Sequence, residues 1–157
     1  MGNKIIDVAT KEIGTSEVPA NSNKTKYGKW FGLDGCYWCG IFVSWCYDKA
    51  GFPLGNIGFL KGFAGCQVAV AYFIKNKRTT TDPQEGDIVF FDWNGDGRYD
   101  HTGLFVRKID DTRFETIEGN TSLTNQSNGG SVMKRERKYG SGALFVHPKC
   151  LDAIVIA

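Results

Sequence analysis

Cys39 lies in the run Cys36-Tyr37-Trp38-Cys39-Gly40-Ile41-Phe42-Val43-Ser44-Trp45, after a glycine-containing turn and at the start of an apolar, helix-forming stretch. A thiol at a helix N-terminus meets unpaired N–H groups and positive potential, which favour thiolate and can bind a developing oxyanion. That is the chemistry of a nucleophile, and it needs a base. The chain has two histidines, His101 and His147. His101 follows a polar turn and opens the apolar run Thr102 to Val106, which places it at a strand mouth, as a general base would be. His147, followed by Pro148, reads as a packing or solvent-facing residue. Glu118 and Asn120 end a later strand, and alternation sends residues two apart to one face. Adjacent strands lie about 4.8 Å apart, so Glu118 can accept the His101 ring N–H if the strands pair near these ends. Cys39, His101 and Glu118 then form a nucleophile, a base and an orienter. Asn120 can orient the imidazole in place of Glu118, or donate to a substrate carbonyl or oxyanion, and the spacing leaves both roles open.

Tyr37, Trp38 and Trp93 are close in sequence to the thiol and the imidazole and are candidates to line a substrate groove; for Trp93 core packing is an equal alternative. The turn before His101 allows a second chemistry. Asp92, Asn94, Asp96 and Gly97 occupy positions one, three, five and six of a calcium loop, with the Arg98 carbonyl at seven and Asp100 at nine. Position twelve is Gly103 rather than a bidentate Glu, and a metal-free Asp/Asn/Gly turn has the same composition. Calcium is therefore an alternative to a bare turn, and the thiol chemistry itself requires no cofactor. Five cysteines, an odd number without scaffold spacing, argue against a disulfide framework. Cys36-x-x-Cys39 has no second pair or nearby histidine to complete a zinc set, and Cys46 and Cys66 read as small buried hydrophobes.

The elements that must position these groups fall into two halves. Asn3 caps a first helix carrying Ile5, Ile6, Val8, Ala9 and Ile13, stopped at Gly14. Residues 15–35 read as a long loop ordered by Tyr27, Trp30 and Phe31. Helices are expected at about 39–50, with Phe42, Val43, Cys46 and Tyr47 on one face, and at about 65–76. A turn-rich connector covers 79–86, and strands follow at 88–91, 102–106, 114–118, 132–138 and 143–147. Helices followed by an antiparallel meander indicate an α+β fold with N-terminal helices packed on a C-terminal sheet.

The 157 residues fit a single domain over 1–157, and a net charge of +2 is too small for a nucleic-acid footprint. The cluster Lys134, Arg135, Arg137 and Lys138 around Glu136 reads as a solvated strand. Asp7, Lys11 and Glu12 interrupt any signal-peptide core, so a chain made in the cytoplasm is expected. No apolar run reaches the about 18 residues of a membrane span.

Four ordered motifs, Tyr37 to Trp45, Gly86 to Phe91, Asp100-His101-Thr102-Gly103-Leu104 and Ile117-Glu118-Gly119-Asn120-Thr121, resemble the CHAP domain, over about residues 1–147. These are cysteine, histidine-dependent amidohydrolases/peptidases, related to the NlpC/P60 group and similar in fold to papain. The resemblance implies Cys39 as nucleophile, His101 as base, and Glu118 and Asn120 as polar partners. It also implies a papain-like fold and cleavage of bacterial peptidoglycan as an N-acetylmuramoyl-L-alanine amidase or peptide endopeptidase. Many such domains belong to phage endolysins and tail-associated lysins, which implies a monomer acting on the wall after holin-type release or from outside. A non-catalytic wall-binding module, or a papain-like protease or acyltransferase acting on proteins, are the alternatives. Gly40 departs from the family, where Ala is commoner after the cysteine.

Overall fold

The computed structural model describes residues 3–140 and 142–152. The Asn3 side chain accepts from the Ile5 and Ile6 N–H groups and starts α1 (Lys4–Thr10), which buries Ile5, Ile6 and Ala9 and ends before the half-exposed Ile13. Within the expected loop lies a short helix, α2 (Lys26–Phe31), capped by the Thr25 hydroxyl and closed by Gly32 in the left-handed region. The next helix, α3 (Cys39–Lys49), is buried on nearly every side, not amphipathic as expected, because α1 and α2 pack on it from one direction and the sheet from the other. The Ser44 hydroxyl accepts the Phe63 N–H at 3.1 Å and donates to the Gly40 carbonyl at 2.9 Å, tying the connection to α4 (Cys66–Lys75) onto α3.

The strands are β1 (Thr79–Thr80), β2 (Ile88–Phe91), β3 (His101–Lys108), β4 (Arg113–Thr121), β5 (Ser131–Lys138) and β6 (Ala143–Val146). They form one antiparallel sheet in the order β1-β6-β2-β3-β4-β5. The meander thus holds for β2 to β5, after which β6 returns to pair with β2, and β1 extends that edge in the stretch expected as a connector. All four residues of β2 are buried. One face, with Ile88, Phe90, Leu104 and Ile117, packs on the helices; the other carries a second cluster of Val89, Phe91, Phe105, Phe114 and Phe145. This is an α+β arrangement of helices on an antiparallel sheet, consistent with a papain-like fold.

Candidate active site

Cys39 is the first residue of α3, so the N–H groups of its own turn have no carbonyl partner within the helix. Two glycines let this helix start approach its neighbours. A Cβ on Gly119 of β4 would lie 2.7 Å from Phe42 Cβ and 2.9 Å from the Trp38 ring. A Cβ on Gly40 would lie 2.8 Å from the Phe63 ring and 2.9 Å from the Ala64 carbonyl. Alanine at 40 is therefore excluded by the Phe63-Ala64 segment that Ser44 holds.

His101 opens β3 opposite Phe91, at the strand mouth as expected, and is fully buried. Its Nε2 lies 2.9 Å from Glu118 Oε1, while its Nδ1 has no hydrogen-bond partner. The Cys39 thiol interacts with this same ring. Glu118 reaches the imidazole across Gly103, whose missing side chain leaves room for its methylenes. His101, Glu118 and Arg137 share the sheet face of Phe91 and Phe114, as the register Phe91 to His101 and Phe114 to Arg137 requires.

Arg137 holds both oxygens of Glu118, with Nε donating to Oε2 at 2.8 Å and Nη2 donating to Oε1; the Thr116 hydroxyl donates to Oε2 at 2.6 Å. The guanidinium lies 4.8 Å from the Trp93 ring centroid and 5.3 Å from that of Phe91. Trp93 is half-buried and stacks on Phe91 and on His101, the latter at 5.6 Å, so it roofs both the imidazole and the guanidinium.

Electrostatics follow from this packing. Burial alone would raise the Glu118 carboxyl, but Arg137 and His101 outweigh it and hold it at about 2. Burial would pull His101 down, yet the Cys39 and Glu118 partners raise it to about 9. A hydrogen bond from Cys66, then the imidazole with its charge, draw the Cys39 thiol well below its ordinary range despite complete burial. Cys66, the first residue of α4, is pushed well up by the same hydrogen bond and by burial. The site therefore favours a thiolate–imidazolium pair.

The other expected residues are placed differently. Trp38 does not line a groove: it is completely buried, stacked on Tyr27, and donates its indole N–H to Glu17 at 3.0 Å. Tyr37, next to it, is 58% exposed. Asn120 stands at φ +56°, beside an irregularity in the β4–β5 register, and its amide donates to Asn128 Oδ1 and accepts the Gly130 N–H, each at 3.0 Å. It fastens the loop 122–130, while Nε2 of the imidazole belongs to Glu118. His147 pairs with Asp87 at 2.6 Å, just past the Ile88–Val146 pair and so at the opposite end of β2 from the Phe91–His101 pair. In the 92–100 turn, Asp92 Oδ2 accepts the Gly97 N–H, Asn94 Oδ1 that of Asp96, and Asp96 Oδ1 that of Arg98. Asp92 Oδ1 is buried without a partner, and among the described residues no three His, Cys, Asp or Glu side chains are gathered to hold a metal, Asp92, Asp96 and Asp100 included.

Sequence reasoning missed Arg137, Thr116 and the Cys39–Cys66 contact. Alternation held the signal for the first two: Phe114, Thr116 and Glu118 share a face with Arg137, Arg135 and Met133 opposite them.

A helix-opening thiol beside a strand-borne imidazole and carboxylate, on this α+β frame, defines the papain-like class. The family model for the CHAP domain matches residues 31–120, from the end of α2 through Asn120. The chain belongs to the CHAP domain family, whose members are generally cysteine- and histidine-dependent amidohydrolases acting on peptidoglycan. No curated protein matches the sequence. Among the described residues no helix is long and apolar enough to cross a membrane.

Proposed function

We propose that the protein hydrolyses an amide bond of bacterial peptidoglycan, with Cys39 as nucleophile, His101 as acid and base, and Glu118 as orienter. The observation that carries this reading is the fully buried imidazole whose Nε2 is committed to Glu118 at 2.9 Å, leaving Nδ1 to exchange a proton with Cys39. The Cys39 thiolate attacks the amide carbonyl carbon, and the carbonyl π pair moves to oxygen. N–H groups of the first turn of α3 meet this oxyanion, each typically worth about 3 kcal/mol of barrier. As the C–N bond breaks, imidazolium Nδ1 protonates the leaving amine and a thioester remains. Neutral His101 then takes a proton from water, the hydroxide displaces the thiolate, and the product acid leaves. Glu118 stays ionised throughout, holding the ring and its Nε2–H.

Asn120 serves this site through the loop it fastens, and Tyr37 and Trp93 offer aromatic surface to sugar or stem peptide. The family resemblance supports a monomeric phage or prophage lysin, made in the host cytoplasm and reaching the wall by holin-type release or from outside, and the net charge of +2 supports action without nucleic acid. Calcium is a separate element of the proposal: it would be held by Asp92, Asn94, Asp96, the Arg98 carbonyl and Asp100. Since these carboxylates are not gathered, no step is routed through a metal.

Clearing of purified Gram-positive walls tests the function. Cys39→Ala and Cys39→Ser should abolish clearing while the protein still pellets with the walls. Unchanged clearing removes the thiol mechanism, and cleavage of casein rather than soluble muropeptides would instead identify a protein hydrolase.

A further inference from the structure

We infer that Arg137 is the positioning residue of this site, balancing its buried charges and fixing the carboxylate that orients His101. The inference rests on the reaction proposed above. In the reactive form Cys39 and Glu118 are negative while His101 and Arg137 are positive, so charges alternate and sum to zero. All four residues are buried, Arg137 at 6% exposure and the carboxylate completely. The groups facing Glu118 come from β3 (His101), β4 (Thr116) and β5 (Arg135 and Arg137). Cys39 is faced by His101 and by Cys66 of α4, which in turn feels Asp100. From the loop, Gln126 accepts from Arg137 Nη1. Arg135 is only part-buried and Asp100 is exposed, so solvent screens both and the balance falls to Arg137.

A buried charge without a partner is strongly disfavoured, and the usual response is to take up or release a proton. Without the guanidinium the site carries one excess negative charge, which a proton on Glu118 or Cys39 removes. Either protonation breaks the thiolate–imidazolium–carboxylate series. The planar fork meets both carboxylate oxygens and leaves Oε1 aimed at the imidazole, a geometry an ammonium does not reproduce. Contact with the stacked pair of Trp93 and Phe91, at 4.8 and 5.3 Å from the ring centroids, confines the fork.

The test is the pH dependence of Cys39 alkylation by iodoacetamide in the whole chain, read on the Cys39 peptide by mass spectrometry, beside the pH profile of wall clearing. Alkylation needs no substrate, so it reports on Arg137 even if the peptidoglycan reading fails, and clearing by wild type reports on that reading. For Arg137→Met the acid limb should move up by about one pH unit or more, because loss of one positive charge from the buried series favours the protonated thiol. Arg137→Lys should show a smaller shift with a slower rate, because it keeps the charge and loses the fork. A merely structural role would lower the rates and leave the limb in place, and that result in a folded Arg137→Met protein overturns the inference. If Arg137→Met does not fold, Arg137→Lys decides: a wild-type limb and rate would overturn it.

Discussion

Replacing Gly103 by alanine is the sharpest structural perturbation of the site. The added Cβ would lie 2.5 Å from Glu118 Cγ and 3.2 Å from the Ile117 carbonyl oxygen. Carbon atoms pack at about 3.5–4.0 Å, so the Glu118 side chain must retreat by about 1 Å. It has little freedom to do so, since Arg137 holds both its oxygens and the Thr116 hydroxyl donates to Oε2 as well. The ring of His101 follows its carboxylate or loses the 2.9 Å hydrogen bond. A misplacement of about 1 Å in a reacting constellation costs about 100-fold in rate, and overpacking of this kind destabilises by about 1–3 kcal/mol. Gly103→Ala should therefore clear walls about 100-fold more slowly, with melting lowered by a few degrees and the fold intact by circular dichroism. Clearing within about threefold of wild type by a folded Gly103→Ala protein would refute the claim that Glu118 positions His101.

Other outcomes follow from the same geometry. Hydrolysis should persist through neutral pH and fall as His101 titrates at about 9, and Glu118→Gln should move that alkaline limb down, measured by initial clearing rates. Glu118 has its folded pKa depressed to about 2 from 4.5, so its stabilisation is complete above about 4.5 and is lost as pH falls toward 2. Melting curves of wild type should decline across that window and those of Glu118→Gln much less. Asn120→Ala should cost about 2 kcal/mol, from left-handed backbone strain and two lost hydrogen bonds, and should raise proteolysis in the loop 122–130; Asn120→Gly should recover the backbone part. If calcium occupies the 92–100 turn, melting should rise with added calcium and return with chelator, and an unchanged melting point sets the metal aside.

The long elements were legible because apolar period and turn residues agree on them: α3, α4 and β2 to β6 lie within a few residues of their expected bounds. The short elements α2 and β1 were not. The first is a six-residue helix held by packing on α3, and the second is a two-residue strand that exists only through its pairing with β6. At the site, Cys39, His101 and Glu118 were legible from helix and strand ends. Trp38 is next to Cys39 in sequence and not in the groove, because as the N-cap residue of α3 its non-helical backbone sends the indole into the core, onto Tyr27 and to Glu17. Asn120 departs from simple alternation because its left-handed backbone coincides with a shift in the β4–β5 register. The charge pattern around Glu136 suggests a solvated strand, but pairing of Arg137 with Phe114 of β4 places it on the buried face.

The central claim is that the Cys39 thiolate, served by His101 and Glu118, cleaves an amide of the wall. Mass spectrometry of muropeptides released from purified peptidoglycan tests it most directly. Wild type should release fragments with one new free amine, on L-Ala for an amidase or on an inner peptide residue for an endopeptidase, and folded Cys39→Ala should release none. The same new amine from Cys39→Ala, or wild-type digests without any, would contradict the account.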